Sequence, residues 1–225
     1  MTKEDFLREI RIYDHKIIEA IQDYYLIERM VDWQNYIGQD FKIYSSTFIP
    51  ISRALHANFV GLYTSLFDDR SKYSISKLID VNKNEDWYLI ELDNIVVSID
   101  NLINNNKTKN DVNCIRISDN QKTKTTDLAQ KWRDKVLFHF DKEAIKEDSF
   151  NKLQENYPLH VPEMLINLKC LHNYINDIRN LLGSPKSKII TEEQSLDYVM
   201  MKIFSINTCP KFGFDISFLK NDYKI

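Results

Sequence analysis

The sequence predicts an all-α protein, an up-and-down bundle of four to five long helices with short extra helices. Three observations predict it. Apolar residues recur at alternating steps of four and three through most of the 225 residues, the spacing that lines one face of a helix. Only four Gly and five Pro punctuate the chain, too few for the frequent turns of a many-stranded sheet. Hydrophobic residues make up 43% and charged residues 28%, enough for a sizeable core inside a wet surface. One domain over residues 1–225 is the expected organisation.

In the first helix, Phe6, Ile10, Tyr13, Ile17, Ala20, Tyr24, Ile27 and Val31 fall in one stripe, and Thr2 is placed to cap it. A second stripe runs through Phe41, Tyr44, Phe48, Ile51, Leu55, Phe59, Leu62 and Leu66. Pro50 interrupts it by removing a backbone donor and crowding the preceding turn, so a kink or a restart near Ser52 is expected. A short piece over 74–80 precedes a helix from about 86 to 103 that carries Leu89, Leu92, Val96, Ile99 and Ile103, with Asn84 as its cap. Residues 104–125 are rich in Asn, Lys, Thr and Asp and lack apolar periodicity, so they read as an exposed loop, long enough to invite a functional role.

The next helix is expected over about 126–140, with Leu128, Trp132, Val136 and either His139 or Phe140 facing inward. Another spans about 162–182, where Met164, Leu168, Leu171, Ile175, Ile178 and Leu182 step by four and three. Gly183 and then Pro185 should stop it. Thr191 and Gln194 have capping-box spacing and open a last helix through Leu196, Val199, Met200 and Ile203. The C-terminal extension, about 207–225, is consistent with a short hairpin or with a packed extension.

The formal net charge of −3 excludes a bulk field for polyanions, so any nucleic-acid contact must be local. One local excess exists: residues 107–135 hold eight Lys and Arg against four Asp. A basic loop of this kind could steer a phosphate backbone, or simply be solvated. Cys114, Cys170 and Cys209 are scattered without metal-ligand or disulfide spacing, so neither metal nor cofactor is expected. The amino-terminal residues lack the apolar stretch of a signal peptide, and no stretch approaches the roughly 20 apolar residues of a membrane span. A cytoplasmic protein without membrane contact is the expectation.

The chain has no Gly-rich phosphate loop, no GxSxG, no HExxH and no calcium loop, which leaves its histidines. His15 lies off the stripe of the first helix and should be at the surface. His56, beside Leu55 and near Arg53, suits a buried or interface position. His160 lies in a connection between Pro158 and Pro162, and His172 flanks the stripe of its helix as a boundary residue. His139 differs because it follows Trp132-Arg133-Asp134-Lys135-Val136-Leu137-Phe138.

There an imidazole that titrates near neutrality accompanies a permanent guanidinium. Metal-free RNA cleavage needs that combination: one group to move a proton, another to hold the phosphate and offset charge at the transition state. Six residues of separation put Arg133 and His139 about 120° apart around a regular helix, so one copy does not stack them. A composite site across a two-fold axis would bring them together. Read without any resemblance, the pair fits a surface cation at Arg133 and a satisfied core histidine at His139 better than a catalytic pair.

The run Arg133-Asp134-Lys135-Val136-Leu137-Phe138-His139-Phe140-Asp141 resembles the Arg-to-His motif of the HEPN superfamily, specifically its abortive-infection AbiU-like branch. Leu66-Phe67-Asp68-Asp69 and Tyr73-Ser74-Ile75-Ser76-Lys77-Leu78-Ile79 are similar to the branch's second recognisable stretch, which closes one long helix and opens a short one. The likeness covers roughly residues 20–182. It implies a homodimer with Arg133 and His139 of both subunits at the interface and Asp134 orienting them; beside that motif, Lys135, one turn before His139, and Lys131 are the candidates for contacting an RNA substrate. The implied activity is metal-independent endoribonuclease cleavage in toxin-antitoxin or antiviral defence, with an antitoxin protein as a partner. Phe138 stands where the branch tends to have a small residue, and Asp141 where toxins silenced by nucleotidylation carry Tyr. Other members of the superfamily are inactive, so the alternative is a noncatalytic helical dimer that binds a protein partner or a nucleotide.

Overall fold

The computed structural model describes residues 1–38, 45–67, 75–105, 116–118, 121–122, 129, 132, 161–189 and 193–204. The described residues are all-α apart from one minimal hairpin. In chain order the helices are α1 (Lys3–Ile37), α2 (Ser45–Phe67), α3 (Ile75–Asp80), α4 (Glu91–Asn105), α5 (Val161–Leu181) and α6 (Glu193–Ile203). Strands β1 (Arg116–Ser118) and β2 (Gln121–Lys122) pair antiparallel between α4 and α5. This pairing falls inside the segment that the sequence presents only as loop.

Helix α1 is 35 residues long, about 52 Å at 1.5 Å per residue, and nothing in it interrupts the ladder. The Thr2 side chain accepts from the Asp5 N–H at 3.1 Å, and Glu4 and Asp5 in the first turn favour the positive end of the dipole. Gly38, at φ 61°, ends the helix. Along the stripe Phe6, Ile10, Ile17, Ala20, Tyr24 and Ile27 are buried. Val31 is exposed, and Met30 and Trp33 are buried in its place, because a strict four-three stripe drifts around a straight helix.

Helix α2 runs through Pro50 without a restart at Ser52. Pro50 is its sixth residue, so the donor it lacks would have served Ser46, within the first two turns. Phe48, Phe59 and Leu66 of the expected stripe are buried, whereas Ile51 is exposed; Phe41 and Tyr44 lie outside the described residues.

Helix α4 begins at Glu91 rather than near 86, and Asn84 does not cap it. Residues 81–88 instead form successive turns, with Glu85 N–H donating to Asn82 O and Tyr88 N–H to Glu85 O. The Tyr88 hydroxyl donates to Asp93 at 2.8 Å and the Lys83 ammonium reaches Asp80 and Asp93. These contacts fix the chain before the helix can start, and they leave Leu89 exposed. The hydroxyl of Tyr88, and then Lys83, hold the Asp93 carboxyl below its ordinary range.

Helix α5 matches its expected stripe at every position: Met164, Leu168, Leu171, Ile175, Ile178 and Leu182 are all buried. It ends in a Schellman turn, with Gly183 N–H donating to Asn180 O and Ser184 N–H to Arg179 O and Gly183 at φ 73°. On α6, Val199 and Ile203 are exposed, and Asp197 and Met200 face inward; Thr191 lies outside the described residues.

Helices α1 to α5 contribute to one large apolar core. Helix α1 packs on α2 and α5, and α5 also packs on α4. A separate small cluster, Met30, Trp33, Phe48 and Met200, lies where α6 meets α1. No helix among the described residues is long and apolar enough to cross a membrane.

Candidate functional site

The five residues of the predicted RNA-cleaving site, Lys131, Arg133, Asp134, Lys135 and His139, lie outside the described residues. Their immediate foundation is described. Ala129 and Trp132 are helical and buried, and both belong to the main core. The inward placement expected for Trp132 is therefore found, one residue before Arg133.

The remaining histidines separate clearly. His15 is exposed, as expected. His56 is half-buried and its Nδ1 donates to the Ser52 carbonyl at 2.8 Å, one turn earlier on α2. His160 lies outside the described residues. His172 is not a boundary residue: its exposure is 0%. The stripe explains this, since His172 lies four residues after Leu168 and three before Ile175, at a core position of the same heptad. Arg179 occupies the next such position, between Ile175 and Leu182, and Asp14 stands between Ile10 and Ile17 on α1. Polar residues at apolar stripe positions were the available signal.

These three residues form a buried polar cluster. The Arg179 guanidinium donates from Nη1 to Asp14 Oδ2. His172 Nε2 lies 3.4 Å from Asp14 Oδ1 and 3.0 Å from Ser187 Oγ. Asn176 joins Ser187 through its side-chain oxygen, which accepts from the Ser187 N–H at 2.8 Å. Asp14 Oδ1 and Arg179 Nε are buried without a hydrogen-bond partner, so the cluster is incompletely satisfied and costly to hold. Burial pushes the His172 pKa down; Asp14 opposes that shift and Arg179 adds to it.

A Ser-His-Asp composition invites comparison with a nucleophilic triad, but the geometry does not fit one. A relay needs the base and the orienting carboxylate on opposite ring nitrogens. Here Ser187 and Asp14 both face Nε2, and the ring is sealed from solvent. The cluster fastens α1 to α5 and to the segment that follows α5.

A second, partly buried pair fastens α6. Arg29 donates from Nε to Asp197 Oδ1 at 2.7 Å and from Nη2 to Oδ2 at 2.5 Å, and Trp33 Nε1 donates to Oδ1 at 2.8 Å. Between α1 and α2, the Asn58 amide donates to Glu19 at 2.9 Å and to the buried Asp23 at 2.8 Å. Burial pushes the Asp23 carboxyl up to about 6, Asn58 lowers it and Glu19 raises it further. Among the described residues no group of three or more His, Cys, Asp or Glu could hold a metal ion. Cys170 is half-buried and free, its thiol pKa pushed up by burial.

Compared with known proteins, the chain matches no family model, no curated protein and no solved structure.

Proposed function

We propose that the protein is a metal-independent endoribonuclease of toxin or phage-defence type, acting as a homodimer in the cytoplasm under the restraint of an antitoxin protein. The observation that carries this reading is the Arg133-to-His139 motif, which begins directly after a tryptophan buried in the core of an all-α chain. Positioned acid-base chemistry requires side chains set on a rigid element, and Trp132, the residue before Arg133, is buried in the core.

In this mechanism His139 is the general acid or base. It moves the proton of the 2′-hydroxyl or of the leaving 5′-oxygen as the hydroxyl attacks the adjacent phosphorus. Arg133 pairs with the phosphate oxygens and offsets charge at the transition state. Asp134 positions Arg133 or His139, and Lys131 and Lys135 contact the RNA backbone. The basic bias of residues 107–135 supports a polyanionic substrate in a chain that is otherwise acidic. Because Arg133 and His139 are six residues apart, the two groups meet more readily from two subunits than from one.

The test is a set of three purified proteins, wild type, His139→Ala and Arg133→Ala, incubated with RNA in excess EDTA. Wild type is expected to cleave, and each variant to lose at least about 100-fold in rate, the scale of one general acid-base group, while remaining folded and dimeric. Equal cleavage by all three, or none by any, would move the protein to the class of noncatalytic helical dimers.

A further inference from the structure

Residues 184–189 leave α5 through the Gly183 turn without regular structure. Ser187 and Ile189 are half-buried, with Ile189 packed on the main core, while Pro185, Lys186 and Lys188 are exposed. The segment is a strap lying over His172. Asn176 Oδ1 accepts from the Ser187 backbone N–H at 2.8 Å and from its hydroxyl at 3.2 Å. Asn176 Nδ2 donates to the Ser187 carbonyl at 3.4 Å. A backbone N–H can only donate, so the orientation of the Asn176 amide is fixed.

This network assigns the proton on His172. The Ser187 hydroxyl hydrogen is committed to Asn176, so its oxygen accepts from His172 Nε2 at 3.0 Å. Asp14 Oδ1, an acceptor only, faces the same nitrogen at 3.4 Å. The neutral ring therefore carries its hydrogen on Nε2. Asn176 Nδ2, itself a donor, lies 3.5 Å from both ring nitrogens, and among the described residues no acceptor faces Nδ1. A second proton would arrive at Nδ1 without an acceptor.

It would also add a third charge to a site that holds one carboxylate and one guanidinium. Among the described residues the charges acting on the ring are Asp14 from α1 and Arg179 from α5. The strap contributes the neutral Ser187 and two lysines that are already in solvent. An imidazolium with one shared counterion in a dry site must gain water or a partner. Among the described residues its walls are α1 and α5, helices of the main core, and the strap, a segment without regular structure held by Ser187 and by the packing of Ile189.

We propose that residues 184–189 are a proton-released strap: a second proton on His172, at Nδ1, meets the Asn176 amide donor and drives Asn176 off Ser187, and the strap lifts to hydrate the ring while α1 and α5 stay packed. The depressed pKa of His172 puts the release below the ordinary histidine value. This inference does not depend on RNA cleavage.

Hydrogen exchange of the full chain, corrected for intrinsic rates, tests it at about pH 7.5 and about pH 5. In wild type, protection over 184–189 should fall by about tenfold for each pH unit through which the release is pulled, with α1 and α5 unchanged. His172→Gln keeps a donor and cannot titrate, so its strap protection should be the same at both pH values. Ser187→Ala leaves the buried ring intact and should lose strap protection at both. Unchanged wild-type protection overturns the proposal, as does an equal fall in His172→Gln. A fall spread evenly over α1, α5 and the strap also overturns it, because that is global acid unfolding. If His172→Gln does not fold, strap protection in Ser187→Ala that still equals wild type at about pH 7.5 overturns it alone.

Discussion

Two arginine-aspartate pairs fasten helices to α1, one at Asp14 and the other at Arg29, and they are built differently. At Asp14 the guanidinium of Arg179 comes from α5, both partners are almost sealed, and one atom of each lacks a hydrogen bond. At Arg29 the contact to Asp197 of α6 is bidentate, Trp33 supplies a further donor, and the side chains retain 19% and 12% of their exposure. The first pair lies within the large core; the second sits beside a smaller cluster, which among the described residues has four buried members. A well-satisfied pair at the rim holds a peripheral helix at low desolvation cost. An undersatisfied pair in the interior is expensive, and the large core around it supplies the burial that offsets the cost. It also places a histidine where solution pH can act on it.

The difference predicts a hierarchy of effects, the largest at Asp14. Asp14→Ala leaves Arg179 charged and buried, and should cost about 3–5 kcal/mol, read as a shift in the urea unfolding midpoint. A loss no greater than that of Asp197→Ala would erase the distinction between the two pairs. Asp197→Ala should cost about 2 kcal/mol and act locally: exchange protection over α6 falls while that of α5 persists. Loss of protection in both helices would mean that α6 is not peripheral. Gly183→Ala meets nothing within 4 Å, so its cost is conformational alone, about 1 kcal/mol for a side chain at positive φ. A thermal melt is enough to measure it.

The smallest effect separates two titrations of opposite sign. His172 has a folded pKa below its ordinary 6.5, so the unfolded chain binds the proton first and stability falls as pH drops through 6.5. Asp23, held at about 6 against an ordinary 3.8, binds its proton first in the folded state. Its contribution therefore falls as pH rises between those two values, and the two slopes partly cancel. Asp23→Asn removes one of them. Stability near neutral pH should rise by less than about 1 kcal/mol, given the partial solvent screening at this site, and the decline toward acid should steepen. An unchanged pH profile would show that Asp23 does not titrate in this window.

The class of fold was legible in the sequence because long four-three stripes have few other solutions, and α5 with its glycine stop was legible residue by residue. Helix α4 starts later than its spacing predicts because the Asp80, Lys83, Tyr88 and Asp93 contacts outcompete the first turn of a helix, and such side-chain networks leave no periodic trace. His172 lies inside rather than at the boundary because it and Arg179 continue the apolar heptad. Opposite charges at stripe positions of two helices are the mark of a buried pair, visible only when the helices are read together. Of the candidate cleavage site, the inward side of Trp132 followed from spacing, whereas Arg133, Asp134, Lys135 and His139 lie outside the described residues and rest on their chemistry.

The most direct measurement of the central claim is the chemical nature of the RNA ends produced in EDTA, determined by mass for wild type and His139→Ala. Attack by the 2′-hydroxyl predicts 2′,3′-cyclic phosphate and 5′-hydroxyl ends from wild type and their loss in the variant. Products ending in 3′-hydroxyl, or the same cyclic ends at the same rate from His139→Ala, would contradict it.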